Sequence, residues 1–169
     1  MPGMTPPRPI LLADDGLIPN SPLPLLVYPS ALANTADRAH QFVDLFAGHG
    51  WGRSWRNGIY SFRHYHSSAH EVLGIAAGTA RVEFGGPQGV ELEVAVGDAV
   101  LIPAGVSHYN LGASSDLLVI GAYPNDSDSV DLCRDTMEDR AAAVPRIAAV
   151  PRPLRDPVLG DAGLLTSWE

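Results

Sequence analysis

Two hydrophobic rhythms run along this chain. Between residues 34 and 50 the apolar positions Ala39, Phe42, Val43 and Phe46 recur at the helical spacing i, i+3, i+4, i+7. The spacing predicts a helix that starts near Asn34, whose side chain suits an N-cap, and stops at "GHG", residues 48–50. From Ile59 to Tyr123 the period shortens to two. In "ARVEF", Ala80, Val82 and Phe84 alternate with Arg81 and Glu83; in "ELEVAV", Leu92, Val94 and Val96 form the apolar side. "GGPQG" at 85–89 and "GD" at 97–98 read as turns, "AVLIP" and "DLLVIGAY" as further strands. Several short strands at this spacing predict an antiparallel sandwich or small barrel rather than βαβ units.

The flanks differ. Residues 1–23, with "TPPRP" and "IPNSPLP", are expected to be extended or irregular, and "LLVYP" to be a short edge strand ended by Pro29. Residues 24–123 form the β domain with its preceding helix. The segment 124–169 holds one short helix around 134–143 and the prolines of "VPRIAAVPRPLRDP", and is expected to wrap the β domain as an irregular tail. Trp51 and Trp55 are expected to cover one end of it.

Composition narrows the function classes. The chain has 169 residues, enough for one domain with a sizeable core. No apolar run approaches the ~18 residues that a membrane span needs, and "MPGMTPPRPILLADDG" lacks the pattern of a signal peptide. One cysteine, Cys133, excludes an internal disulfide and fits a cytoplasmic location; in "VDLCRDTMED" it reads as an idle thiol. The net charge is −8 and the basic residues are scattered, which argues against nucleic acid as a partner. All of them are Arg, so Schiff-base chemistry and a P-loop lysine are excluded.

The candidate chemistry lies in "HYHSSAHE", residues 64–71. On a strand, residues two apart share a face and stand roughly 6.6 Å apart. His64 and His66 therefore project the same way, within reach of one ion at ~2.0–2.1 Å, although such a pair serves equally well as structure. Reading outward, Gly58, five residues, His64-x-His66, four residues, Glu71, six residues and Gly78 form one pattern. Gly97, five residues, Pro103-x-Gly105, two residues and His108 form a second. These spacings resemble the two motifs of the cupin superfamily at all nine positions. One departure is Gly112, where the second motif often carries Asn; Asn110 stands two residues earlier. Beyond the motifs, "WRNGIYSFRHYHSSAHEVLG", "VIGAYP" and "DLCR" resemble small single-domain bacterial cupins of the YjlB type.

The resemblance implies an all-β fold: a double-stranded β-helix (jelly-roll) barrel with one N-terminal helix, in which His64, His66, Glu71 and His108 converge on a metal. Three imidazoles and a carboxylate suit a divalent transition metal, Fe(II) first, with Mn, Ni, Zn or Cu open. The implied function is a metal-dependent enzyme acting on a small molecule, an Fe(II)-type oxygenase; an isomerase, epimerase or lyase, or a non-catalytic binding module, is the alternative. Relatives of this kind pair through edge strands, so a homodimer is expected.

His70 competes with Glu71 for the acidic position, since neighbours on a strand face opposite ways. The six-residue count to Gly78 selects Glu71 and leaves His70 outward-facing or as a proton shuttle beside the metal. By strand parity Tyr60 and Phe62 share the face of His64, and Asn110 that of His108; all three are candidates for substrate contact, and Tyr60 for proton transfer. "HEVLG" is no zincin motif, because Gly74 stands where a second His is required. "GHGWGR" follows a helix instead of opening one and is no phosphate loop.

Overall fold

The computed structural model describes residues 5–33, 36–127, 129–161 and 167–168. Eleven strands among them form two antiparallel sheets. The six-stranded sheet runs β1 (Arg8–Ile10), β2 (Leu25–Tyr28), β8 (Ala99–Ile102), β5 (Glu71–Ala77), β10 (Leu118–Pro124) and β3 (Trp51–Asn57). The five-stranded sheet runs β11 (Cys133–Arg134), β4 (His64–Tyr65), β9 (His108–Ala113), β6 (Thr79–Phe84) and β7 (Val90–Ala95).

The two sheets face each other across a core of Leu25, Leu73, Val100, Ile102 and Val119 on one side and Ala80, Val82, Phe84 and Val94 on the other. The six-stranded sheet is buried on its outer face too, where Leu26, Val72, Leu101, Ile120 and Ala122 meet the helix α1 (Arg38–Gly48). That difference explains the two strand textures in the sequence. Strands covered on both faces read as continuous apolar runs, "LLVY", "AVLI" and "LVIGAY"; those of the five-stranded sheet alternate.

The arrangement is jelly-roll-like, but the expected closed barrel does not form. β1 and β3 end one sheet, β7 and β11 the other, and among the described residues no ladder joins the two. Side-chain packing holds the sheets together instead. Both edges of the larger sheet resist further pairing: β1 carries Pro9, and β3 carries Arg53 at φ +51° opposite a register break between Gly121 and Tyr123.

Other expectations are corrected locally. α1 begins at Arg38, with the Asp37 carboxylate accepting the His40 N–H at 3.1 Å as N-cap; Asn34 lies outside the described residues. "LLVY" is an interior strand rather than an edge, because Arg8–Ile10 of the N-terminal segment is extended and pairs along it. Trp51 and Trp55 belong to β3, and Trp51 is buried under α1 rather than capping an end. Val96 follows the end of β7 and is exposed. The tail is not irregular: β11 pairs with β4, and a second helix, α2 (Met137–Ala149), is N-capped by Thr136 and continues through Pro145. Ala143 and Ile147 hold α2 on Tyr65 and Cys133. Further along, buried Asp156 accepts the Tyr28 hydroxyl at 2.6 Å, and the Trp168 indole N–H reaches the Pro24 carbonyl at 2.9 Å.

The contact between α1 and β5 depends on Gly74. A Cβ built there would lie 2.5 Å from the Phe42 ring, so the ring occupies the space that a side chain would need. We therefore expect Gly74→Ala to lower the unfolding free energy by about 1–3 kcal/mol, read by urea denaturation. Wild-type stability in this variant would mean that Phe42 moves aside freely.

Candidate metal centre

His64 opens β4 and His108 opens β9, and the antiparallel register sets them directly opposite each other. Their ring centroids are 4.0 Å apart. His66 follows β4, with its ring 5.9 Å from that of His64 and 5.5 Å from that of His108. One ligand atom from each of the three lies within 4.8 Å of the others, a cluster able to coordinate a divalent metal. Glu71 comes from the other sheet as the first residue of β5. Its Oε1 stands 3.4 Å from His66 Nε2 and 3.3 Å from His108 Nε2. Adjacent ligands that share one ion at ~2.1 Å stand about 3 Å apart, so these spacings fit a common ion.

The main chain orients each imidazole. The Nδ1–H of His64 donates to the Phe62 carbonyl at 2.9 Å, that of His66 to the Asp131 carbonyl at 2.5 Å, and that of His108 to the Val106 carbonyl at 3.4 Å. This assignment leaves Nε2 of every ring as the free lone pair. Burial, with His108 beside it, pushes the His64 pKa down to about 3, so that imidazole stays neutral. For His66 burial works the same way, but the Glu71 carboxylate and Asp131 together outweigh it and raise the pKa. Burial alone would raise the Glu71 pKa; His66 and His108 reverse that and hold it well below the usual carboxylate range.

The four side chains line a cavity of about 460 Å³, together with Trp55, Leu73, Tyr123, Val130 and Leu132. Tyr123 was not foreseen. It follows Val119 and Gly121 on the inward face of β10, so strand parity carried the signal. Its hydroxyl accepts the Trp55 indole N–H at 2.9 Å. Burial and the Glu71 carboxylate keep its proton on far above the usual phenol range. Trp55 lies flat across Gly121, where a Cβ would meet the indole at 2.0 Å. Asp131 had no signal in the sequence, because its link to His66 runs between distant loops.

The remaining candidates sit elsewhere. Tyr60 is at the cavity rim, 53% exposed. Phe62 does not line the cavity: the chain bends at 61–62, so parity with His64 is lost, and the Arg134 guanidinium lies 3.9 Å over its ring. Asn110 spends its side chain on the main chain, donating to the Ile59 carbonyl at 3.2 Å and accepting the Gly112 N–H at 2.9 Å. His70 is turned away from the cavity and packs edge-on against Trp168, its Nδ1 accepting the Ala104 N–H at 2.9 Å.

A jelly-roll-like β-sandwich whose inner histidines form a three-imidazole metal cluster defines a protein of the cupin class. The chain is 41% identical over 157 residues to the uncharacterized protein YjlB of Bacillus subtilis (strain 168), covering 92% of each, and it belongs to that family. No family model matches the chain. Among solved structures it is similar to an 11S allergen from Cocos nucifera (20% identity, TM-score 0.40), covering 47% of this chain and 23% of the allergen. It is also similar to an acireductone dioxygenase from Bacillus anthracis with a cadmium ion in its active centre (16% identity, TM-score 0.39), covering 60% and 72%.

Burial of His70, which is 2% exposed, lowers its pKa to about 4, the Pro151 main chain opposing the shift. An unfolded His titrates near ~6.5, so between the two values the unfolded chain binds more protons. The stability tied to this residue is complete above about pH 6.5 and is lost as the pH falls towards 4. In metal-free protein, His70→Asn should flatten the fall in unfolding free energy between pH 7 and 4.5 by on the order of 2–3 kcal/mol. Parallel urea-denaturation curves for wild type and variant would refute this assignment.

Proposed function

We propose that this chain is a metal-dependent enzyme acting on a small organic molecule, in the first instance an Fe(II)-type oxygenase. The carrying observation is the convergence of three oriented imidazoles and one ionised carboxylate on the wall of an open, largely apolar cavity. His64, His66, His108 and Glu71 would hold the ion as an N/O set without thiolate, which suits Fe, Mn, Ni, Zn or Cu. When bound, such an ion supplies Lewis acidity and, as Fe(II), redox chemistry with oxygen. The chain itself supplies confinement. Trp55, Leu73, Val130 and Leu132 keep water from a substrate, and Tyr60 is placed to touch it at the rim. The lone cysteine fits a cytoplasmic location, and the open edge β7 of the five-stranded sheet leaves room for a homodimer. No helix among the described residues is long and apolar enough to cross a membrane.

A second reading, an isomerase or lyase that uses the ion only as Lewis acid, is favoured by one observation. Tyr123 places a phenol hydroxyl inside the cavity beside Glu71, where it can donate a hydrogen bond to an oxygen of a substrate polarised by the ion. Oxygen consumption separates the two. Protein reconstituted anaerobically with Fe(II) should take up oxygen with a member of a small-molecule panel. Turnover with Mn, Ni or Zn and no oxygen uptake would transfer the assignment to the second reading. Elemental analysis tests the site: His108→Ala should abolish stoichiometric metal, and unchanged metal content would overturn the ligand assignment.

A further inference from the structure

Ser67 and Ser68, between the ligands His66 and Glu71, take no part in the ligand set, yet both are tied to one distant residue. The Asp131 carboxylate accepts the N–H of Ser67 at 2.7 Å and of Ser68 at 3.2 Å, and also the Ser67 hydroxyl. Its own N–H donates to Ser68 Oγ at 3.0 Å, and that hydroxyl reaches the Ser129 carbonyl at 2.9 Å. Arg146, in the last turn of α2, closes the arrangement from behind. Its Nε donates to Ser67 Oγ at 2.9 Å, and its Nη2 stands 3.4 Å from Asp131 Oδ2.

The main-chain carbonyl of the same residue accepts the His66 Nδ1–H, and its neighbours Val130 and Leu132 line the cavity. Side chain and carbonyl of Asp131 thus point at two parts of one loop: the serine turn and the imidazole just before it. An Nδ1–H that loses its acceptor frees the ring to rotate or to move its proton to Nε2, and a protonated Nε2 cannot ligate.

We propose that Asp131 is a positioning residue of the metal centre: clamped on the Ser67–Ser68 turn and paired with Arg146, it sets the carbonyl that orients His66, so that α2 is coupled to the ligand geometry. This rests on the metal-centre reading given above.

The test uses full-length protein stripped of metal. Zn(II) affinity is measured by competition with a chromophoric chelator, and the ligand field by the electron paramagnetic resonance spectrum of the Cu(II)-loaded protein. Asp131→Ala should weaken Zn(II) binding by about 10–100-fold and alter the Cu(II) hyperfine splitting. Asp131→Asn keeps an oxygen for the two serine N–H groups and should recover most of the affinity. Asp135→Ala, whose carboxylate pairs with Arg63 outside the clamp, should match wild type. Circular dichroism establishes folding. If Asp131→Ala does not fold, the Ser67→Ala/Ser68→Ala double variant is read in the same way, with the same direction expected. Folded clamp variants with wild-type Zn(II) affinity and Cu(II) spectrum overturn the proposal. Wild-type protein that binds no Zn(II) overturns the metal centre itself, a distinct failure.

Discussion

A carboxylate buried between two β-sheets must be neutralised by what the opposite sheet delivers. Glu71 belongs to the six-stranded sheet, while His108 opens β9 of the five-stranded sheet and His66 directly follows β4, and one carboxylate oxygen reaches both rings. An unpaired charge at that depth costs several kcal/mol, so the alignment of the two sheets and the state of the site are one problem. Without an ion, that carboxylate draws a proton towards His66, whose pKa it raises. A cation bound there would compete with a proton on the imidazoles for the same carboxylate.

The same constraint shows why the histidines are unequal. His64 is buried against His108, away from Glu71 Oε1, and remains neutral; His66 is drawn towards the proton by the carboxylate. His70, one residue from Glu71, sits in a different environment because the chain enters β5 there and neighbours diverge. Its ring serves the packing of the C-terminal segment through Trp168.

Much of this was legible in the sequence, and the reasons for the gaps are physical. Motif spacing pointed to the three-histidine cluster and to the carboxylate of Glu71 beside it, because strand period and glycine turns leave few ways to bring these side chains together. Parity failed at Phe62, where β4 is only two residues long and the preceding chain bends, while Tyr60 reaches the cavity only at its rim. Parity would have found Tyr123, had the continuous apolar run of β10 been divided into its two faces. Closure of the sheets is a matter of edge pairing, which alternation along single strands does not encode. The extent of α2 was hidden by Pro145, whose cost is offset where Ala143 and Ile147 pack on Tyr65 and Cys133. Asp131 lay beyond reach because no local pattern marks a loop that docks on a turn more than sixty residues away.

The placement of ligands on two sheets and on distant strands has a thermodynamic side. His64 meets His108 only after β4 and β9 have paired, and Glu71 meets both only after the sheets have closed face to face. Pairings of such long range form late and slowly. An ion held by all four proposed donors would therefore recognise the finished fold alone. Each tenfold rise in free ion above its dissociation constant then adds about 1.4 kcal/mol to the unfolding free energy. With the proposed ion bound, the resistance of this protein to heat or proteolysis would become a gauge of the ion supply around it, set by mass action as much as by its own chain.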